Sequence, residues 1–134
     1  MIQTGRASLT VTSTQTSVQQ ISEVLGLSPT RSEVRGAERP SGALRTHNLW
    51  CIEVDVANTE EDQTGTGALA ELVSRTRAAA GKVAQPPADC EAKIWWSADS
   101  DSGQGGFVLP TEVVAGIAAL GVDVFATVYL DEEM

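Results

Sequence analysis

The fold class is decided by one stretch, Gly105-Gly-Phe-Val-Leu-Pro-Thr-Glu-Val-Val-Ala-Gly-Ile-Ala-Ala-Leu-Gly-Val-Asp-Val-Phe-Ala-Thr-Val-Tyr-Leu130. Pro110 and Glu112 favour a helix start, because a first turn tolerates a missing amide hydrogen and its positive end attracts a carboxylate. Apolar residues then recur at helical spacing up to Gly121, which suits a left-handed helix end. After Gly121, apolar residues alternate with Asp123, Phe125, Thr127 and Tyr129, which is the period of a strand. The stretch therefore predicts a short strand at 107–109, a helix and a final strand.

Length and composition favour one domain spanning residues 1–134, with loose ends at 1–7 and 131–134. No run approaches the roughly 20 apolar residues that a membrane span needs, and the first nine residues lack a signal-peptide pattern. Cys51 and Cys90 do not amount to a disulfide framework, which suits a reducing compartment. We therefore expect a cytoplasmic protein that does not bind a membrane.

The chain is acidic, with 18 Asp and Glu residues against 9 Lys and Arg residues and a formal net charge of −9. Nucleic-acid binding is not expected, because neutralising phosphates needs a clustered basic surface. The acidity serves solubility, or it prepares the surface for a basic partner. Four arginines, all within 31–45, form the one basic segment: Arg31, Arg35, Arg39 and Arg45.

Alternating or helical spacing elsewhere predicts the remaining elements. Strands are expected at 8–14, 47–57 and 90–98. A helix is expected at 18–25, with a hydroxyl cap from Thr16 or from Ser17, and Gln20 would complete a capping box with Ser17; another helix is expected at 68–82. The segment 28–46 is expected to be irregular. The resulting order is β-α-β-α-β-β-α-β. We expect an α+β, ferredoxin-like two-layer sandwich, with an antiparallel or mixed sheet of four or five strands and two to three helices on one face.

Reactive side chains do not assemble into a recognisable catalytic motif. Asp99 and Asp101 have the spacing that opens a calcium loop, but Pro110 stands where its last glutamate belongs. His47 and Cys51 lie about 13 Å apart on one strand, too far for a nucleophile pair. The glycines at 103–106 lack the Lys-Ser/Thr ending of a phosphate loop. We predict no catalytic residues, no metal site and no cofactor.

The polar sides of the strands predict a different kind of site. If the helices cover the apolar sides, the other face carries three of the six aromatic residues, Trp95, Phe125 and Tyr129. The charged residues Lys93, Glu53 and Asp55 share that face. Exposed aromatics with a few charges are typical of a protein interface, with a second copy or another protein as the partner. The alternative is that the 28–46 segment folds over the rings and covers them.

Several short motifs, in order and spacing, resemble the bacterial family known as domain of unknown function 4279. They are Ile21-Ser-Glu-Val-Leu-Gly-Leu-Ser-Pro-Thr30, Arg35-Gly36, Trp50, Gly105-Gly-Phe-Val-Leu109 and Leu120-Gly-Val-Asp-Val-Phe125. The resemblance implies a small α+β domain that stands alone in bacteria, and it implies no activity or catalytic residue. The chain departs from the pattern after Pro29-Thr30, where Glu33-Val34 replaces an aromatic residue that often follows.

Two functions from different classes remain open. The first is a non-enzymatic protein-binding module, an immunity-like or accessory protein that holds its partner by the sheet face or by its acidic edges. The second is a sensor or enzyme for an anionic small molecule, bound between the 31–45 loop and the sheet, with Arg31 or Arg35 gripping the anion.

Overall fold

Strands and helices alternate along most of the chain in a computed structural model that describes residues 2–57, 64–101 and 106–130. The strands are β1 (Ile2–Ser13), β2 (Arg31–Glu33), β3 (Asn48–Ala57), β4 (Glu91–Ser100) and β5 (Val124–Leu130). The helices are α1 (Val18–Leu25), α2 (Gly67–Thr76) and α3 (Thr111–Leu120), with a short 3-10 helix at Arg77–Ala79 after α2.

The five strands form one mixed sheet in the order β2-β3-β1-β4-β5. The long first strand is central and pairs antiparallel with both β3 and β4. At one edge β2 pairs antiparallel with β3, and at the other β5 pairs parallel with β4. The predicted α+β class is confirmed, as an open five-stranded mixed sheet with three helices.

The first strand begins earlier than the sequence predicted. Residues 2–7 were expected to be loose, but they form the first half of β1, where Ile2 is 2% exposed and Ala7 is fully buried. The alternation is hard to see because Gly5 and Ala7 occupy inward positions where a large apolar residue would be expected. A Cβ at position 5 would make ordinary van der Waals contact, at 3.6 Å, with both Ala68 and the Trp96 indole.

Two further predictions about strands were wrong. The segment 28–46, expected to be irregular, contains β2 and an isolated bridge between Glu38 and Leu44. The predicted strand at 107–109 is not a strand. Its backbone is tied to the start of α2, because the Val108 amide donates to the Thr64 carbonyl and the Thr66 hydroxyl donates to the Val108 carbonyl.

The helix ends follow local capping rules. The predicted capping box of α1 is confirmed, with Ser17 accepting from the Gln20 amide and the Gln20 side chain accepting from the Ser17 amide. The second helix is shorter than the predicted 68–82. It ends at Thr76, whose hydroxyl donates to the Leu72 carbonyl at 2.8 Å, a bond that competes with regular helical bonding.

The core lies between the helices and one face of the sheet. Trp50 on β3 and Trp96 on β4 are 0% and 2% exposed, and the Trp50 indole donates to Ser22 of α1 at 2.9 Å. The sheet contributes Leu9, Val11, Ile52, Val54 and Ile94 to this core, and the helices contribute Ile21, Leu25, Leu69, Leu72, Val113 and Leu120. We call the opposite side of the sheet the outer face.

A carboxylate fastens the turn before β4 to the turn after β1. Asp89 accepts hydrogen bonds from the Thr16 hydroxyl at 2.6 Å, the Thr16 amide at 2.7 Å and the Gln15 amide at 2.8 Å. These donors, led by the Thr16 hydroxyl, hold the pKa of the Asp89 carboxyl well below its usual range. The folded chain therefore binds this proton less readily than the unfolded chain does.

We predict that Asp89→Asn lowers the urea midpoint of unfolding at pH 7. A pKa depressed in the folded state stabilises the fold fully above the unfolded value of about 3.9, and this stabilisation is lost as the pH falls below it. The difference in midpoint between wild type and variant should therefore shrink between pH 4 and pH 2. Asp123→Asn, which removes an exposed carboxylate, is the matched control. A difference that stays constant down to pH 2.5 would contradict the assignment.

Candidate functional site

Side chains on the outer face form rows that cross the sheet. One row contains Phe125, Trp95, Ser8 and Glu53, because Trp95 pairs with Phe125 and Ser8 pairs with both Trp95 and Glu53. The next row contains Thr127, Ser97, Arg6 and Asp55, and the third begins with Tyr129, Asp99 and Thr4. The large rings therefore stand on β4 and β5, and mainly charged or small side chains stand on β1 and β3.

The aromatic residues of this face are exposed, as the strand alternation predicted. Trp95 is 48%, Phe125 41% and Tyr129 57% exposed. Trp95 and Phe125 stack with ring centroids 4.8 Å apart and planes at 28°. The Lys93 ammonium lies 5.3 Å from the centre of the Phe125 ring, within cation–π range. We call these four residues, Trp95, Phe125, Lys93 and Tyr129, the aromatic patch.

The 28–46 segment does not cover the aromatic patch. Its strand β2 pairs with β3, at the edge of the sheet opposite β5. Three strand spacings of about 4.8 Å separate β3 from β5. The alternative considered from the sequence, in which this segment folds over the rings, is therefore wrong.

The two acidic residues of the predicted interface lie apart from the aromatic patch. Glu53 and Asp55 stand on β3, about 10 Å across the sheet from β4 because β1 lies between. Each carboxylate has a basic neighbour: Asp55 accepts from Arg6 at 2.6 Å, and Glu53 lies 3.8 Å from Arg31. The outer face thus divides into an aromatic half and an ion-paired half.

A groove of about 460 Å³ runs between the two halves. Tyr129 stands on one side of it, Arg6 and Asp55 stand on the other, and its remaining lining is Thr4, Gly5, Val56, Ala57, Ser97 and Asp99. Within the lining the Thr4 hydroxyl donates to Asp99 at 2.9 Å. Two carboxylates against one guanidinium leave the groove with a net negative charge, which favours a basic side chain.

Sequence reasoning missed part of this groove. Arg6 and Thr4 were assigned to a loose lead-in, and Asp99 was assigned to a loop because β4 was expected to end at residue 98. The available signal was the alternation of polar Thr4, Arg6 and Ser8 with small Gly5 and Ala7, which continues the pattern of β1.

The two arginines proposed for anion binding do not converge. Arg31 lies beside Glu53, and the Arg35 guanidinium donates to the Thr14 carbonyl at 3.1 Å. A separate cleft of about 310 Å³ brings other residues of the same segment together, with Arg39, Arg45 and His47 in its lining. Arg45 is ion-paired with Glu33 at its side.

Nucleophiles and possible metal ligands are dispersed. Burial raises the pKa of the Cys51 thiol, which is 2% exposed, and burial also raises that of Cys90. Both shifts favour the thiol over the reactive thiolate. His47 pairs through Nδ1 with the Thr46 hydroxyl at 2.8 Å. Within residues 2–57, 64–101 and 106–130, no three His, Cys, Asp or Glu side chains are grouped closely enough to hold a metal ion.

The acidic pair considered for calcium is tied to β1. Asp99 lies in β4 rather than in a loop, and Asp101 accepts from the Gln3 amide group at 3.0 Å. The rest of that motif, and most of the glycine-rich run, falls in 102–105, outside the described residues.

The resemblance drawn from the short sequence motifs is confirmed by a comparison against protein families. The model of the family "domain of unknown function (DUF4279)" matches residues 3–131. The chain belongs to the DUF4279 family. No curated protein and no solved structure matches it. This DUF4279 chain also contains, in the part that the structure describes, no helix with the length and apolar character needed to cross a membrane.

We predict that one of the three tryptophans is accessible to a quencher. Trp50 and Trp96 are buried and Trp95 is not, so acrylamide should quench the part of the fluorescence that comes from Trp95. This quenchable part should be absent in Trp95→Phe. Acrylamide is preferred to iodide because the chain carries a charge of −9. Phe125→Leu keeps Trp95 and should keep the quenchable fraction. Unchanged quenching in Trp95→Phe would show that Trp95 is not the accessible ring.

Proposed function

We propose that this DUF4279 chain is a non-enzymatic protein-binding module whose contact surface is the aromatic patch and the adjoining groove. The observation that carries this proposal is the Trp95–Phe125 stack, which holds two large rings on an open face of the sheet. Exposing such rings loses the free energy of burying them, so a surface of this kind is typical of a contact site.

The residue types favour binding energy concentrated at a few points. Tyr and Trp are enriched among the residues that dominate protein interfaces, and here Trp95 stacks on Phe125 while Tyr129 lies four residues further along β5. The stack with Phe125 restricts the Trp95 ring before a partner arrives, so less side-chain entropy is lost on binding. The small Ser8 beside Trp95 leaves room for a partner side chain to approach the ring.

Charge indicates the class of partner. The groove carries Asp55 and Asp99 beside one arginine, and the whole chain carries −9. Opposite charge raises association rates, so a basic protein is the partner that this surface favours. In biological terms, we propose an immunity-like or accessory protein of a bacterial cytoplasm that holds a basic protein.

We predict that Trp95→Ser with Phe125→Ser removes partner binding. The chain would be immobilised and incubated with extract of its native host at low salt, and retained proteins would be identified by mass spectrometry. Truncating interface anchors costs about 2 kcal/mol or more, so affinity for the retained protein should fall about 30-fold. Retention by wild type should also weaken as salt rises, because charge steers the encounter.

The matched control is Val34→Ser with Leu44→Ser. These two residues are 62% and 64% exposed and lie in the 28–46 segment, which carries the edge strand opposite β5. The control therefore removes as many exposed apolar side chains without touching the aromatic patch. Equal loss of the partner in both double variants would show that general surface hydrophobicity, rather than the patch, retains it.

A second candidate function is binding of an anionic small molecule in the cleft of about 310 Å³. The observation that favours it is the grouping of Arg39, Arg45 and His47 in one lining. Glu91 also lines the cleft, but it lies 3.0 Å from the Lys93 ammonium, which partly offsets its charge. In this version Arg39 takes the role that the sequence assigned to Arg31 or Arg35.

We predict, for this second function, that citrate or phosphate raises the melting temperature of wild type more than that of Arg39→Ser. A ligand at 100 times its Kd stabilises by about 2.7 kcal/mol, whereas general salt effects act on both proteins equally. Equal shifts in the two proteins would remove the cleft from consideration as an anion site.

A further inference from the structure

The two edges of the sheet differ in a way that bears on self-association. The β2 edge is three residues long and charged, with Arg31 beside Glu53 and Glu33 beside Arg45. The β5 edge is seven residues long, Val-Phe-Ala-Thr-Val-Tyr-Leu, and carries no charge. Short length and charge are the usual protections of an edge strand against pairing with another chain. The β2 edge has both protections, and β5 has neither.

Exposed apolar side chains concentrate toward the end of the described chain, which includes β5. Among the described residues twelve large hydrophobic side chains are exposed, and eight of them lie between Phe107 and Leu130. On β5 itself both faces are open: Phe125 and Tyr129 on the outer face, and Val128 at 39% and Leu130 at 50% exposure on the helix side. This strand therefore offers apolar side chains above and below its free edge.

The backbone direction of β5 follows from its bonds to β4. The Asp123 carbonyl accepts from the Ile94 amide, so residue 123 faces β4. Because successive residues face opposite sides, 125, 127 and 129 also face β4, and the amides and carbonyls of 124, 126, 128 and 130 point to the free edge. β4 is the partner of β5 within the described residues.

We propose that a second copy of this chain pairs with the β5 edge, antiparallel and about a two-fold axis at Thr127. Ala126 then lies opposite Val128 of the other copy, and Val124 lies opposite its Leu130. These four are the residues whose backbone groups point outward, so each such pair exchanges two hydrogen bonds. The two sheets become one sheet of ten strands.

The side-chain pattern of β5 favours this register. With the axis at Thr127, all seven residues of the strand find a partner, and the two threonines face each other. Phe125 then lies opposite Tyr129 of the other copy on the outer face, which places ring beside ring across the axis. On the helix side every pair is apolar. The strand is thus complementary to itself when reversed, as an isologous two-fold interface requires.

Charge and area set the strength of the association. Each copy carries −9, so two copies repel one another, and the uncharged β5 is the place where they approach at least cost. A single seven-residue strand edge is a small contact compared with the ~800 Å² per partner of a standard interface. We therefore expect a dimer with a Kd on the order of 10 µM or weaker, strengthened by salt.

This inference rests on the proposal that the chain acts by binding protein, and it names a second copy as one partner. The response to salt distinguishes binding of a basic protein from pairing of two copies. A basic partner is released as salt rises, whereas the self-associated form is favoured by it. A chain that stays monomeric but still retains a basic protein would refute the dimer alone, and a dimer that retains no other protein would refute only the basic partner.

The test is disulfide capture with Thr127→Cys. In the proposed register the two cysteines form a non-hydrogen-bonded pair with Cβ atoms about 4.5–5.5 Å apart, close to the spacing that a disulfide accepts. Mild oxidation should give a linked dimer on non-reducing gels. Ser32→Cys, an exposed position on the other edge strand, and the wild type with its two native thiols should stay monomeric. Equal linking of Thr127→Cys and Ser32→Cys, or none in either, overturns the proposal.

Sedimentation of the unlinked proteins completes the test. Wild type at 5 to 500 µM should shift from monomer toward dimer, further at 0.5 M than at 0.05 M salt. Thr127→Lys places two ammonium groups opposite each other at the axis and should be monomeric throughout, with the wild-type melting temperature at low concentration. A wild type that is monomeric over this range, or a Thr127→Lys that still dimerises, overturns the proposal.

Discussion

Burial of Trp96 against the helices determines where Trp95 points. Successive side chains of a strand face opposite sides, so a chain that places Trp96 in the core at 2% exposure must place Trp95 on the outer face. The same constraint acts on β5, where the parallel register sets Phe125 beside Trp95 and Ala126 beside Trp96. The aromatic patch is therefore a consequence of how the core is filled, and moving it would require inverting the whole sheet.

The parts of the fold that the sequence predicted are those in which a strong local pattern coincides with burial. Alternation in β3, β4 and β5 identified the inward side correctly, and Ser17 with Gln20 marked the start of α1. Two of the failures, at β2 and at the start of β1, have a common cause, which is that a pairing partner decided the structure. β2 has only three residues and exists because β3 lies beside it, and the start of β1 is held between β3 and β4 although Gly5 contributes no side chain.

The candidate site was predicted only as far as strand alternation could determine it. Strand alternation alone placed Trp95, Phe125 and Tyr129 on one face. Contact between Trp95 and Phe125 depends on the register of β5 against β4, which no local pattern reveals. The strand order was not accessible from the sequence, and the alternation that places Arg6 in β1 was weak because Gly5 and Ala7 are small. The groove between Tyr129 and Asp55 was therefore not predicted. Strand alternation grouped Glu53 and Asp55 with the rings, whereas the strand order places β1 between these two carboxylates on β3 and the rings on β4 and β5.

Edge pairing at β5 and partner binding at the aromatic patch are physically compatible. Hydrogen bonds of a β-ladder lie in the plane of the sheet, whereas the rings project from it, so pairing uses the strand edge and leaves the outer face open. A two-fold axis at Thr127 brings Tyr129 of one copy beside Phe125 of the other, which extends the Trp95–Phe125 stack across the axis. Two patches then form one continuous surface with twice the area. Self-association at the uncharged edge therefore enlarges the face that a partner can contact, although each patch is present on a single copy.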